Sequence, residues 1–135
     1  ADDRLKAAVA KAGGATIHGF VDDIEPFYRK SRVFIAPLRF GSGTKVKVLT
    51  ALYRGLPCVT TSYGTEGLDL VPGTEVLVAD DAAGTAAHIL ALLSDRSKWE
   101  SLRDASRQKA AHTYSWNLML ESHVKDFLGL IGRRS

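Results

Sequence analysis

Short apolar runs recur along this chain with helix-patterned segments between them, and that alternation limits its possible folds more than any other feature. Residues 15–21, 33–37, 58–61 and 76–79 read as strands, and residues 24–30, 44–54 and 82–93 read as helices. Repetition of strand, helix, strand at this spacing argues for an α/β fold, a parallel sheet flanked by helices. Right-handed crossovers then place the C-terminal ends of the strands, and the loops that leave them, along one edge.

The chain opens on a further helix over residues 2–12, with Leu5, Ala8, Val9 and Ala12 on one face and Gly13-Gly14 as its stop. A domain that begins on a helix is expected to have lost the strand before it. After Ser94 the strands cease and two longer helices follow. Ser97, Trp99, Leu102, Ala105, Ser106 and Lys109 belong to the first, with Asp95 or Ser97 as its cap. Trp116, Leu120, Val124, Phe127, Leu128 and Ile131 stripe the second at helical spacing. No repeat, low-complexity tract or composition break marks a linker, so residues 1–132 are expected to form one unit.

Composition narrows the function classes. At 135 residues, with 45% hydrophobic and 24% charged residues, the chain is an ordinary globular domain or part of one. No apolar run approaches the roughly 18 residues of a membrane span, and no signal-peptide pattern is present, so a soluble, cytoplasmic protein is expected. The single cysteine, Cys58, excludes an internal disulfide framework and reads as a small core residue. A net charge of +3 is mild, and the basic residues are dispersed apart from Lys45, Lys47 and the Arg133-Arg134 tail. That balance favours a small anionic ligand over nucleic acid.

The segment 41–57 is where such a ligand is expected, because Gly41-Ser42-Gly43 opens directly into a helix. The unpaired N–H groups of a helix start and its dipole favour an anion, and glycines let backbone approach closely. Lys45 and Lys47 stand in the first turn, where an empty helix disfavours positive charge. Two other strand-end loops share this character, His18-Gly19-Phe20-Val21-Asp22-Asp23 and Ser62-Tyr63-Gly64-Thr65-Glu66-Gly67. The first also reads as a plain turn with an aspartate N-cap; the second reads as a loop folded over a ligand. The familiar phosphate fingerprints fail, since the third glycine of the dinucleotide signature is missing and no Gly-Lys precedes Ser or Thr.

The order of motifs resembles one large family. Ala36-Pro37-Leu38, Gly41-Ser42-Gly43-Thr44-Lys45, Lys47, Leu49, Ala51-Leu52, Gly55-Leu56-Pro57 and Val59-Thr60-Thr61 are similar to the signature of GT-B retaining glycosyltransferases. Gly64-Thr65-Glu66-Gly67-Leu68, Pro72-Gly73, Val76-Leu77-Val78-Ala79-Asp80-Asp81 and Tyr114-Ser115-Trp116 continue the match. The resemblance is to the C-terminal, nucleotide-sugar-binding half of the group 1 (family 4) enzymes, which is Rossmann-like, and it covers nearly the whole chain.

That resemblance implies a donor site. Val21 and Asp22 are then expected beside the base, and Gly41, Ser42, Gly43, Thr44, Lys45 and Lys47 near the sugar and diphosphate. Many members carry two glutamates whose places here fall on Ser42 and Thr50; the second of them holds the ribose hydroxyls. Thr50 is a shorter, neutral partner, so either Glu66 supplies a carboxylate from the neighbouring loop or donor binding is weak or altered. The resemblance further implies that the acceptor-binding N-terminal half, with the catalytic residues, is absent, as are the earlier strands of this half. The fragment itself is then expected to be inactive, to pair with its own N-terminal domain, and to be prone to self-association at bared sheet edges.

The implied partners are a nucleotide sugar and an unknown acceptor, with no cofactor and no metal. The sequence agrees in having no Asp-x-Asp element, since Asp2-Asp3, Asp22-Asp23 and Asp80-Asp81 are adjacent pairs that read as caps or turns. His18, His88, His112 and His123 show no ligand spacing. Two other classes fit the residues: a non-catalytic nucleotide- or phosphate-binding module, and an interaction domain using the 116–131 stripe.

Overall fold

A computed structural model of the chain describes residues 2–41 and 45–113. The chain divides into two compact units, residues 1–30 and residues 31–135. The stripe 116–131 and the Tyr114-Ser115-Trp116 motif lie outside the described residues, as do Ser42, Gly43 and Thr44.

The first unit holds α1 (Asp3–Ala12) and α2 (Glu25–Lys30). Asp2 caps α1 by accepting the Arg4 N–H at 3.1 Å, and Gly13 ends it by donating its N–H to the Val9 carbonyl. Asp23 caps α2 through the Glu25 N–H at 3.0 Å, which is the plain turn reading of that loop. Residues 15–21, expected as a strand, are not one. A strand exists by pairing, and no ladder includes these residues. Among their apolar positions Phe20 is 94% exposed.

The second unit is the α/β layer structure. Its order is β1 (Phe34–Ala36), α3 (Lys45–Tyr53), β2 (Cys58–Thr60), α4 (Ser62–Thr65), β3 (Leu77–Val78), α5 (Ala82–Ser94) and α6 (Arg96–Thr113). The three strands pair in the order β1-β2-β3, all parallel, with Ala36 opposite Thr60 and Thr60 opposite Val78. Alternation along the strands divides the core in two. Ala36, Cys58 and Val76 face Val48 and Leu52 of α3, with Leu70 and Ala110; Val59 and Leu77 face Leu92 of α5 and Leu102 of α6. One helix thus covers each face, and α6 reaches both clusters.

Local chemistry sets the helix ends. At the end of α3 the Leu56 N–H bonds the Ala51 carbonyl and the Gly55 N–H bonds Leu52, a Schellman closure that needs Gly55 at φ +72°. Pro57 then prevents any continuation and starts β2. Asp81 caps α5 through the Gly84 N–H at 2.6 Å, and Asp95 caps α6 through the Lys98 N–H at 2.9 Å. Trp99 is pinned at the start of α6: its indole N–H donates to the Arg32 carbonyl at 2.7 Å, and the Arg32 and Arg103 guanidinium carbons each lie 5.1 Å from its ring centroid. Burial pushes the Cys58 thiol up to about 12, as expected of an inert core residue.

Candidate functional site

The register aligns the C-terminal ends of all three strands, so the loops leaving Ala36, Thr60 and Val78 share one edge. Two buried threonines tie that edge together. Thr60 Oγ1 donates to the Ala36 carbonyl at 2.7 Å, and Thr61 Oγ1 donates to Leu38 while accepting the Gly64 N–H at 3.1 Å. The loop after β1 is thereby fastened to the loop after β2. No buried side-chain polar atom among the described residues is left without a partner.

The loop 62–67, expected to fold over a ligand, contains one helical turn, α4, capped by Thr61. Asp80 fixes this turn from the third strand end, accepting the Ser62 N–H at 2.8 Å and the Ser62 hydroxyl at 2.6 Å. Those two bonds hold the Asp80 carboxyl below the ordinary carboxylate range. Asp80 and Asp81 therefore act as the turn and cap residues that the sequence indicated.

Opposite this turn, Gly41 stands in the first loop at φ +113°, a backbone setting that side chains resist. Its carbonyl accepts the Tyr63 hydroxyl at 2.5 Å. Lys45 begins α3, a helix with no acidic residue in its first turn. Its ammonium lies 5.8 Å from the Tyr63 ring centroid and 3.9 Å from Glu66 Oε2. At that separation, with the Glu66 side chain 68% exposed, the ion pair is loose and leaves the ammonium able to take another anion.

Of the expected site residues, the structure brings Gly41, Lys45 and Glu66 around Tyr63. Lys47 is exposed and stands apart: two residues along a helix turn a side chain by about 200°, away from the Lys45 side. Thr50 lies farther along α3, half-buried, and its hydroxyl donates to the Val46 carbonyl at 2.8 Å. Val21 and Asp22 belong to the first unit, on the loop entering α2. Two of the histidines keep structural contacts. His18 meets Phe27 edge-on at 4.8 Å, and His88 Nε2 bonds the Val78 carbonyl at 3.1 Å.

A cleft of about 280 Å³ opens on the α5 side of the same edge, walled by Ile35, Pro37 and Ile89, with Arg39, Thr61, Asp80, Asp81 and Thr85 as its polar lining. None of the expected donor residues lines it. Tyr63, Ser62 and Arg39 were not singled out in the sequence; the signal for Tyr63 was its place in a glycine-flanked turn just after a buried strand. Among the described residues no cluster of three His, Cys, Asp or Glu could hold a metal, and no helix is long and apolar enough to cross a membrane.

The profile of the group 1 glycosyl transferases matches residues 1–95. The chain belongs to the group 1 glycosyltransferase family. It is also similar to an uncharacterised 44.6 kDa protein of the cps region of Klebsiella pneumoniae, 29% identical over 92 residues. That alignment covers 65% of this chain and 24% of the relative, so the glycosyltransferase chain spans about a quarter of the length of the curated relative it matches. The matched residues include both the Gly41–Lys45 junction and the turn that carries Tyr63 and Glu66.

Proposed function

We propose that this chain forms the donor-binding part of a retaining glycosyltransferase and holds the diphosphate of a nucleotide sugar at the start of α3. The observation that carries this reading is the Lys45 ammonium at an acid-free helix start, loosely paired with Glu66 at 3.9 Å on the C-terminal edge of a parallel sheet. Ligands of open α/β sheets bind outside that edge, and a helix start favours phosphate.

The chemistry follows from where charge develops. As the bond from the sugar to the diphosphate breaks, negative charge grows on the leaving oxygen. An ammonium and helix-start N–H groups fixed beforehand stabilise that charge more in the transition state than in the bound substrate. In this reading protein groups do the electrostatic work without a metal, while the acceptor and the catalytic residues belong to an N-terminal half of the intact enzyme. The chain alone then binds the nucleotide but does not transfer sugar. In this reading Thr50 stands at the ribose position.

Calorimetric titration of the chain with uridine, guanosine and adenosine diphosphates tests the proposal. Saturable binding to at least one is expected, weakened roughly tenfold or more by Lys45→Ala, in keeping with a hydrogen bond to a charged group. Binding that survives Lys45→Ala removes the lysine from the site. No binding to any of the three contradicts the donor-site reading.

A further inference from the structure

One side chain reaches both Gly41 and Lys45. The Tyr63 hydroxyl donates to the carbonyl of Gly41 at 2.5 Å, and the Tyr63 ring lies 5.8 Å from the Lys45 ammonium. Tyr63 is half-buried and sits on a turn with little freedom of its own. Thr61 caps that turn at Gly64, Asp80 holds Ser62 by two bonds, and Gly64 lies so close to Thr60 Oγ1 that no Cβ fits there. The turn is in turn fastened to β1, since Thr60 and Thr61 bond the Ala36 and Leu38 carbonyls. A rigid support therefore carries a single arm to the place where glycine backbone and lysine meet.

We propose that Tyr63 is a positioning residue for the donor diphosphate, an inference that rests on the donor-site reading above. Two physical effects define the role. A carbonyl left unpaired beside a phosphate repels it; the Tyr63 hydroxyl occupies the Gly41 carbonyl and removes that repulsion. The ring's negative face attracts the Lys45 ammonium and holds it at the helix start, which Glu66 at 3.9 Å does only loosely. Tyr63 thus acts through Lys45 and Gly41 and not by bonding the ligand.

The test is a double-mutant cycle in the 135-residue chain. Inorganic pyrophosphate and uridine diphosphate are titrated by NMR into wild type, Tyr63→Phe, Tyr63→Ala, Lys45→Ala and Tyr63→Ala/Lys45→Ala, with the melting temperature of each recorded. Tyr63→Phe keeps the ring and removes only the hydroxyl, so affinity is expected to fall about threefold to tenfold with a shift of the Gly41 amide signal. Tyr63→Ala is expected to weaken binding further than Tyr63→Phe in the wild-type background and, once Lys45 is gone, to cost only the smaller share that passes through the Gly41 carbonyl. A merely structural tyrosine predicts the same loss in both backgrounds, and that result overturns the proposal, as does wild-type affinity in a folded Tyr63→Phe protein. If Tyr63→Ala fails to fold, the Tyr63→Phe comparison decides. If wild type binds neither probe, the donor-site reading falls and the role of Tyr63 with it; binding by wild type that Tyr63 does not affect removes this inference alone.

Discussion

The carboxylate of Asp80 receives both the backbone N–H and the hydroxyl of Ser62, at 2.8 and 2.6 Å, and so couples the end of β3 to the turn that follows β2. The two bonds lower the Asp80 pKa. A group depressed in the folded state contributes stability that is fully present above its unfolded pKa and is lost as pH falls through the folded value. Asp80→Asn is therefore expected to lower the melting temperature at neutral pH, with the difference from wild type shrinking on acidification below the ordinary carboxylate range. A melting difference that stays constant from neutral to strongly acid pH contradicts this coupling.

Gly64 is predicted to be intolerant of any side chain. A Cβ there meets the Thr60 hydroxyl, which is 2% exposed and already bonded to the Ala36 carbonyl. Gly64→Ala must displace that hydroxyl, and overpacking together with a lost buried hydrogen bond costs about 2–4 kcal/mol. Denaturant unfolding measures it; a change below about 0.5 kcal/mol is what a surface substitution gives and argues against the close packing.

Thr50 gives a prediction about the ligand. Its hydroxyl bonds back to Val46 within α3, so replacement leaves no buried group unpaired elsewhere among the described residues. Thr50→Glu places a carboxylate at the proposed ribose position, and charge-assisted bonds to two hydroxyls are worth about 1.5–3 kcal/mol. Affinity for nucleoside diphosphates is expected to rise roughly tenfold or more, while 2′,3′-dideoxy analogues gain nothing. An equal gain for both kinds of nucleotide places Thr50 away from the ribose.

Cys58 reports on the integrity of the core. Its side chain is fully buried between β2 and α3, and its thiol is pushed up to about 12. Thiol reagents act on the thiolate, so native protein at pH 8 is expected to react only as fast as it unfolds. Rapid labelling at low reagent concentration, independent of denaturant, contradicts that burial.

Much of the second unit was legible because its signals are local. Gly55-Leu56-Pro57 announces a helix closure and a following strand, Asp81 and Asp95 stand where caps belong, and the apolar runs at 33–37, 58–61 and 76–79 each supply a strand. Residues 15–21 misled for a matching reason: their apolar pattern states a preference, but a strand requires a partner, and no ladder includes them. The site was legible in part. Gly41, Lys45 and Glu66 could be nominated from residue type and order, whereas the grip of Tyr63 on Gly41 spans 22 residues and arises only when β1 and β2 are in register. Lys47 looked equivalent to Lys45 in sequence; the helical turn between them separates the two.

The central claim, that a nucleotide diphosphate is held where Gly41, Lys45 and Glu66 meet, is tested most directly by amide chemical-shift mapping of the 135-residue chain. On addition of uridine, guanosine or adenosine diphosphate, saturable shifts are expected at Gly41, at Lys45 and the next residues of α3, and at Glu66 and Gly67, and to be lost in Lys45→Ala. Shifts confined instead to the Arg32, Trp99 and Arg103 surface, or none with any of the three nucleotides, would contradict it.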